Sequence, residues 1–308
     1  MIVCVCPSPA VDVTYHIDRM VPGATVRVAS VAERPGGKAV NVARVLHGLG
    51  EQVLLVAPVG GTTGEQLRGS LAELGVPSRL VPDRTPTRRT VTVVDAAGAA
   101  TCFTEPPATA CWPELHDAVS LSLADARAVV VSGSLPAGVP REGLAALVRH
   151  VREQNLPVIV DTHGPALLEA LEAGCDVVKP NAEELAQVTS TADPTLAARQ
   201  LADRHGTAVV ASLGSAGVVA ALAHGTWAAY PGAPVNGNPT GAGDALVAGL
   251  ARGLARDRTA LEHPEELLRD AVALATSTVR APTAGDIDPA HYADELARVS
   301  IRALDGVG

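Results

Sequence analysis

Short runs of apolar residues alternate with amphipathic, helix-like segments through most of the chain. The runs are two to five residues long and occupy residues 2–6, 53–57, 128–132, 158–161, 177–178 and 208–212. Apolar runs of this length are typical of strands buried on both faces, and their alternation with helices indicates a parallel sheet covered by helices. The pattern therefore predicts an α/β fold with ligands at the carboxyl ends of the strands.

Two segments, residues 13–34 and 87–105, do not follow this rhythm. In the second, polar and apolar residues alternate from Thr90 to Val93, which predicts a strand with one exposed face. We expect the two segments to form β ribbons that pair in a small sheet over the ligand site at the strand ends. They would be the lid of a single domain that spans residues 1–308.

The last part of the chain is predicted to be helical, over residues 246–256, 264–279 and 289–304. Apolar residues recur there at spacings of three and four, and Pro264 and Pro289 suit the first turn of a helix. Residues 281–285 contain proline and glycine and predict a loop between the last two helices.

Composition excludes several classes of protein. With 308 residues, 47% of them apolar, the chain can bury one large core. A net charge of −9 and 2% aromatic residues do not suit nucleic-acid binding, and the apolar runs are too short to cross a membrane. The first residues lack a basic leader, so a cytoplasmic location is expected. Five cysteines without C-x-x-C spacing predict reduced thiols rather than a disulfide framework or a zinc site.

The stretch 238–250 carries the clearest chemical signal. Pro239, Gly241 and Gly243 precede an apolar helix, which predicts a helix that begins near Gly241 with open backbone N–H groups. Such a turn binds anions, and a nucleotide phosphate fits there. Asp244 lies in the first turn and either accepts a proton during phosphoryl transfer or only offsets the helix dipole.

Lysine is rare in this chain. Of 24 basic residues only Lys38 and Lys179 are lysines, so the other 22 are arginines. Because a compact ammonium and a planar guanidinium are not interchangeable at a tight site, two lysines inside motif-like segments favour functional roles over chance. Several polar residues directly follow the apolar runs, and we expect them to meet at one edge of the sheet: Asp12, Gly133, Asp161, Lys179, Asn181 and Gly214.

Two segments together resemble the signatures of a known family. Residues 240–245, Thr-Gly-Ala-Gly-Asp-Ala, resemble the C-terminal signature of the ribokinase-like, PfkB-type carbohydrate kinases, and residues 35–44 resemble their N-terminal signature. Further landmarks are Asp12 and residues 132–136, 179–184 and 212–214. The most similar branch is that of 1-phosphofructokinase and tagatose-6-phosphate kinase. The resemblance implies a ribokinase-like three-layer α/β/α fold with a small β lid, which in the family often pairs with a second subunit in a homodimer.

The resemblance also implies roles for individual residues. Asp244 would be the general base, and the N–H groups of Gly241, Ala242 and Gly243 would stabilise the transferring phosphoryl group. Sugar-binding residues would be Asp12, Gly36, Gly37, Lys38, Asn41 and Ser134, and Arg27 and Arg88 would join Lys38 in a trio of cations for an existing phosphate. ATP would be bound by Lys179, Asn181, Ser212, Gly214 and Gly217. Asn181 and Glu184 would order Mg²⁺ and its waters, whereas the pair by itself, without the resemblance, favours a helix cap followed by a first-turn acid.

Two departures bear on the substrate: Thr90 stands where the phosphosugar branch has asparagine, and Thr25 stands where some relatives carry lysine. A further departure is His163, which stands where a small residue is expected. The leading hypothesis is an ATP- and magnesium-dependent kinase that converts a ketohexose phosphate, such as fructose 1-phosphate, fructose 6-phosphate or tagatose 6-phosphate, to its bisphosphate. The alternatives are a kinase for an unphosphorylated sugar or nucleoside and a non-catalytic sugar-binding regulator.

Overall fold

The computed structural model describes residues 1–281, 283 and 285–304. Its strands are β1 (Ile2–Val5), β2 (Ala10–Ile17), β3 (Val28–Gly36), β4 (Val53–Val59), β5 (Ser78–Pro82), β6 (Arg88–Val94), β7 (Ala100–Thr104), β8 (Ala128–Ser132), β9 (Val158–Asp161), β10 (Val177–Val178), β11 (Ala208–Ser212), β12 (Val218–Leu222), β13 (Gly225–Tyr230) and β14 (Ser300–Ala303). Its α-helices are α1 (Lys38–Gly48), α2 (Gly61–Glu73), α3 (Trp112–Ser120), α4 (Gly143–Glu153), α5 (Pro165–Glu172), α6 (Ala182–Thr189), α7 (Pro194–His205), α8 (Ala242–Arg256), α9 (Pro264–Arg280) and α10 (Pro289–Leu296).

Most strands join one large sheet. In the described residues it has ten strands, in the order β14-β13-β12-β11-β10-β9-β8-β1-β4-β5. From β11 to β5 neighbouring strands run parallel, and β12, β13 and β14 extend the sheet in antiparallel fashion. Helices α1, α8 and α9 pack on one face, and α3, α4, α5 and α7 pack on the other. The predicted α/β fold with a mainly parallel sheet between helical layers is confirmed.

The apolar runs form the centre of this sheet. Strands β8, β9, β10 and β11 have the predicted bounds, and nearly all of their residues are buried. Each strand contributes alternate residues to the two faces, so a continuous apolar run is needed to fill both helical layers.

The prediction of a helix over residues 289–304 is wrong at its end. Helix α10 stops at Leu296, and Ser300–Ala303 forms strand β14 at the edge of the sheet. Trp227 pairs with Ala303, and Tyr230 pairs with Ser300. A four-residue strand whose pairing depends on a distant hairpin has too few residues to show a period of its own. The predicted loop at 281–285 includes residues 282 and 284, which lie outside the described residues.

A second sheet has the order β3-β2-β6-β7 and contains the segments expected to form the lid. Ala10 pairs with both Gly36 and Arg88, so this sheet begins where β1 ends, at the carboxyl edge of the large sheet. Val11 and Val13 are buried in the main core, whereas β7 is exposed along its whole length. One side of the small sheet therefore packs on the domain, and its outer strands face solvent.

Helix α8 carries the glycine-bearing turn. Gly241 is its N-cap with a φ of 85°, a left-handed conformation that glycine adopts without strain. The predicted start near Gly241 is thus correct. The apolar side of α8 is buried, and a Cβ at Gly249 would overlap the backbone of Ala271, so this helix lies very close to α9. Among the described residues we find no helix with the length and apolarity required to span a bilayer.

Candidate active site

The register of the central strands brings polar residues to one level at the carboxyl edge. Ser132 at the end of β8 pairs with Asp161 at the end of β9, and Lys179 directly follows β10. Each of these three residues comes two positions after a residue of the core under α1 and α8, namely Val130, Ile159 or Val177. Since strand residues two apart share a face, the three polar residues lie on the face of the sheet on which α1 and α8 pack. The N-termini of both helices therefore meet the strand ends here.

Asp244 is buried at the start of α8, with 7% of the residue exposed. The side-chain amide of Asn41 on α1 donates a 2.8 Å hydrogen bond from Nδ2 to its Oδ2. Burial raises the pKa of Asp244 to about 7, with a further contribution from the charge of Asp161, against the opposing effects of Asn41, Lys38 and Lys179. A carboxyl group with this pKa exchanges protons readily at neutral pH, as a general base must.

Asp161 holds both lysines of the chain. Its Oδ1 lies 3.1 Å from Nζ of Lys38 and 3.4 Å from Nζ of Lys179, and its Oδ2 accepts a 3.0 Å hydrogen bond from Ser132 Oγ. Burial alone would favour the neutral acid, but the two ammonium groups and these hydrogen bonds hold the pKa of Asp161 below its ordinary value. Burial disfavours the charged form of Lys38, yet Asp161, Glu184 and Asp244 together raise the pKa of this lysine. The cluster presents two fixed cations at the start of α8.

A cavity of about 480 Å³ opens beside the start of α8. Polar side chains in its lining belong to Asn181, Ser212, Ser215, Asn236 and Thr276, and the start of α8 contributes Ala242 and Gly243. Apolar lining residues include Val218, Pro231, Val235, Leu246, Val272 and Val279. None of the described residues that line it carries a charge. A largely apolar cavity that reaches the start of a helix suits a flat aromatic base joined to an anionic group.

Asn181 and Glu184 form a capping box at the start of α6. Asn181 Oδ1 accepts a 2.8 Å hydrogen bond from the N–H of Glu184, and Glu184 Oε2 accepts one of 2.8 Å from the N–H of Asn181. These are the two hydrogen bonds that the helix-cap explanation of the pair requires. The described residues contain no group of three or more His, Cys, Asp or Glu side chains placed to hold a metal. The other carboxylate oxygen of Glu184 takes no part in this capping box.

The proposed sugar side lies where β2 meets β3 and β6. Burial raises the pKa of Asp12, while the charge of Arg88 and a hydrogen bond from Thr90 oppose this effect. Gly36 pairs with Ala10, and a Cβ at Gly36 would overlap the Asp12 carboxyl group. The structure therefore brings Arg88 and Asp12 together, and Thr90 contacts Asp12 despite its difference from the asparagine of the phosphosugar branch.

The remaining predicted residues are distributed unevenly. Gly37 is the N-cap of α1 with a φ of 107°, and Ser134 shares a 3.0 Å hydrogen bond with His163 Nε2. Arg27 is exposed and precedes β3, at the end of the lid opposite Gly36. Six residue steps, roughly 20 Å at the usual rise, separate Val28 from Arg34, which pairs with Asp12. Arg27 is thus remote from Asp12 and Arg88, and the expected trio of Arg27, Lys38 and Arg88 does not form within one chain.

Sequence reasoning missed a second charged cluster. The guanidinium of Arg44 on α1 is buried and lies 2.7 Å from Asp286 Oδ1, and Arg34 of β3 donates a 3.0 Å hydrogen bond to Thr283 Oγ1. These contacts join the lid and α1 to the residues that follow α9. The available signal was Arg44 itself, a charged residue inside the apolar run of α1. No role was predicted for Asp161 either, although its position after an apolar run placed it at the correct edge.

The chain matches a family model and several known proteins. The family model described as pfkB family carbohydrate kinase matches residues 8–290. The ATP-dependent 6-phosphofructokinase isozyme 2 of Mycobacterium tuberculosis is 33% identical over 271 residues, which are 83% of this chain and 78% of that protein. A 1-phosphofructokinase of Xanthomonas campestris is 33% identical over 314 residues and covers 96% of both chains.

The structural comparison extends this similarity to the whole fold. The tetrameric inhibited form of phosphofructokinase-2 from Escherichia coli matches with a TM-score of 0.87 and 28% identity, over 96% of this chain and 98% of that one. The fold and the kinase class implied by the sequence signatures are therefore confirmed. The chain belongs to the pfkB family of carbohydrate kinases and is a phosphotransferase with the ribokinase-like fold.

Proposed function

We propose that the protein phosphorylates a ketohexose phosphate with ATP and yields the bisphosphate. The observation that carries the proposal is the buried Asp244, which directly follows the cavity-lining Ala242 and Gly243, accepts a hydrogen bond from Asn41 and has its pKa raised to about 7 by burial. A general base that takes a proton from a hydroxyl at neutral pH works best with a pKa near 7 and a position next to the transferring phosphoryl group. A non-catalytic sugar-binding regulator has no need of such a carboxylate.

The reaction requires one proton transfer and one displacement at phosphorus. Asp244 takes the proton of the acceptor hydroxyl while the oxygen of this hydroxyl forms a bond to the γ-phosphorus of ATP. The bond between the γ-phosphorus and the oxygen that bridges it to ADP breaks, and ADP is released. The N–H groups of Ala242 and Gly243 at the start of α8 stabilise the charge on the transferring group. Asn41 keeps the Asp244 carboxylate oriented, and Lys38 and Lys179 supply fixed positive charge beside it.

Magnesium fits as a partner of the phosphates rather than as a resident ion. When bound, it neutralises charge on the transferring phosphoryl group and on ADP. Asn181 and Glu184 offer the oxygen ligands that Mg²⁺ prefers, but each already uses one side-chain oxygen in the capping box. Their role is therefore to hold waters of the metal, with Glu184 as the stronger acceptor.

Two lines of argument favour a phosphorylated acceptor. Arg88 lies beside Asp12, and its Nε is buried without a hydrogen-bond partner among the described residues, so a bound phosphate oxygen would satisfy it. The relatives reported above are named as kinases of fructose 6-phosphate or fructose 1-phosphate. We propose fructose 1-phosphate, fructose 6-phosphate or tagatose 6-phosphate as the acceptor.

We further propose that the lid mediates a homodimer. Val28 and Val31 on β3 and Phe103 on β7 are large apolar residues of the lid that are exposed, by 42%, 56% and 55%. Large exposed apolar side chains on both edge strands of a small sheet suit an interface with a second subunit. In such a dimer Arg27, which is remote from the cleft of its own chain, lies at the joining surface.

A kinetic comparison tests the proposed function. ADP release is measured with ATP, Mg²⁺ and a panel of phosphorylated and free ketohexoses and nucleosides. We expect kcat/KM for one sugar phosphate to exceed that for its free sugar by about 100-fold or more, because a charge-assisted phosphate contact contributes about 1.5–3 kcal/mol and more than one is available. Arg88→Ala should reduce this ratio at least tenfold while the KM for ATP stays within about twofold. A wild-type preference for free sugars or nucleosides contradicts the proposal.

A further inference from the structure

Helix α10 buries a charged residue that has no role in the mechanism above. Glu295 is 1% exposed and is the one described residue of this helix that is buried. Its Oε1 accepts a 2.5 Å hydrogen bond from the backbone N–H of Gly232. A carboxylate out of water costs free energy, and its replacement by an apolar side chain of similar volume is often neutral or stabilising. Stability of the fold therefore does not explain a carboxylate at this position.

The hydrogen-bond partner of Glu295 belongs to a loop that forms one wall of the cavity beside α8. This loop, residues 231–239, connects β13 to the glycine turn and is called the cavity loop below. Five of its residues line the cavity of about 480 Å³, namely Pro231, Val235, Asn236, Gly237 and Pro239. The position of the cavity loop therefore determines the width of the space proposed for the nucleotide.

A second groove, of about 690 Å³, lies against the same loop. Val235, Asn236 and Gly237 line both the groove and the cavity, so this part of the loop is a thin wall between two open spaces. Glu295 lies in the lining of the groove together with Asp294. Since few packed side chains support such a wall, hydrogen bonds at its ends must hold it in place.

The cavity loop is hydrogen-bonded to the domain near each end. Near its start, the N–H of Gly232 donates to Glu295 on α10. Near its end, the N–H of Asn238 donates a 2.9 Å hydrogen bond to the carbonyl oxygen of Val279 on α9. A Cβ at Gly232 would overlap the side chain of Arg298, so the loop lies directly against the chain that follows α10. The carboxylate of Glu295 is thus the side-chain anchor of this wall.

We propose that Glu295 is a positioning residue for the nucleotide, whose carboxylate holds the cavity loop in the conformation that accepts ATP without contacting ATP itself. The inference rests on the proposed ATP-dependent kinase function and adds a residue that sets the affinity for its nucleotide. Without this anchor the binding-competent loop is only fractionally populated, and the apparent Kd rises by the inverse of that fraction.

The catalytic groups have separate support. Asp244 is held by its hydrogen bond from Asn41, and α8 lies very close to α9 where Gly249 meets Ala271. Neither contact involves the cavity loop. Loss of the Glu295 anchor should therefore change the KM for ATP and leave kcat nearly as it is, whereas general damage to the fold would lower kcat as well.

Two substitutions at Glu295 separate the hydrogen bond from the charge. Glu295→Met has a similar volume but no strong acceptor, and it should raise the KM for ATP about tenfold, with kcat and the KM for the sugar within about twofold. Glu295→Gln keeps an acceptor oxygen and should keep the KM for ATP within about threefold of wild type. Asp294→Asn removes a charge from the same helix and the same groove, and as the matched control it should leave all three constants within about twofold. An unchanged KM for ATP in Glu295→Met, or an equal rise in Glu295→Gln, overturns the inference.

Direct binding of ADP distinguishes failure of the inference from failure of the proposed function. ADP with Mg²⁺ is titrated calorimetrically in the absence of sugar, so the identity of the acceptor does not enter. The Kd for ADP should rise about tenfold in Glu295→Met and stay within about threefold of wild type in Glu295→Gln. If the wild type phosphorylates no sugar phosphate, the proposed function fails, and this titration still decides the inference; an unchanged Kd in Glu295→Met overturns it.

Hydrogen exchange tests the anchor in the wild type itself, without any variant. Measured residue by residue by NMR, the amide of Gly232 should be protected from exchange, because Glu295 accepts its hydrogen bond. In Glu295→Met the amides of the cavity loop should exchange faster, while those of α8 exchange as in the wild type. An unprotected Gly232 amide in the wild type overturns the inference.

Discussion

Replacement of Asp244 by Asn tests the reaction and the electrostatics of the site in one variant. The amide has nearly the shape of the carboxyl group, and its oxygen can still accept the hydrogen bond from Asn41 Nδ2, which is 2.8 Å long in the wild type. What is lost is the ability to take a proton and to carry a negative charge. The variant should therefore bind sugar and ATP within a few-fold of wild type and turn over about 10²–10⁴ times more slowly.

The same substitution should stabilise the fold. The pKa of Asp244 rises from 3.8 to about 7 on folding, so the folded protein binds this proton more tightly than the unfolded chain. The corresponding stabilisation is complete below about pH 4 and is lost as the pH rises through 7. The change corresponds to at most about 4 kcal/mol, which the neutral amide does not lose. At pH 8 the variant should unfold several degrees above wild type, and at pH 5 the difference should be less than half as large.

Two assays test these two expectations. Steady-state ADP release gives kcat and both KM values, and thermal unfolding followed by circular dichroism at pH 5 and pH 8 gives the stability difference. In the wild type, kcat/KM should fall about tenfold per pH unit below 7, because only the ionised carboxylate accepts a proton. Turnover of the variant within tenfold of wild type, or equal stability of the two proteins at pH 8, would refute the reasoning.

Three further substitutions address other parts of the site. Asp161→Asn leaves the buried ammonium of Lys179 without its counter-charge. The variant should therefore lose about 3 kcal/mol of unfolding free energy in urea, and its kcat/KM should fall about 10- to 100-fold. Equal urea midpoints would contradict this. Glu184→Gln keeps an oxygen for the helix cap and should raise the magnesium concentration needed for half-maximal activity several-fold; a superimposable magnesium titration would remove Glu184 from the site. Gly36→Ala should raise the KM for the sugar about tenfold and leave the KM for ATP unchanged, because the new Cβ displaces Asp12; a normal sugar KM would show that Asp12 does not bind the sugar.

The fold was predictable where burial alone determines an element. The strand that ends at Ser132 and the strand that ends at Asp161 are apolar on both faces, and their bounds could be read from the sequence to the residue. Strand β14 could not be predicted, because it exists only through its pairing with β13, about 70 residues earlier in the chain. Short edge strands of this kind depend on tertiary pairing rather than on local pattern.

The candidate site was predictable where function is concentrated in short motifs. Asp244 and its glycine turn stand together in the sequence, so their proximity needs no tertiary information. The hydrogen bond from Asn41 to Asp244 joins residues 203 positions apart, and the hydrogen bond between Arg44 and Asp286 joins residues 242 apart. Pairings over such distances, and the pKa that results from them, depend on the packed helices α1 and α8 and have no local signature.

The convergence of both lysines on Asp161 determines how the protein responds to reagents that modify amines. Apart from the N-terminus, the whole chain offers such reagents only Lys38 and Lys179, and Lys179 has 5% of its side chain exposed. Acylating dyes, amine-directed cross-linkers and activated resins therefore find almost no lysine on the outer surface. Since the pKa of the N-terminal amine is lowered by burial and that of Lys38 is raised, against the effect of burial, by Asp161, labelling near neutral pH should go to the N-terminus and leave the protein active. Labelling at high pH should reach Lys38 and inactivate the protein unless nucleotide and sugar are bound, whereas coupling through the exposed thiol of Cys102 leaves both lysines untouched.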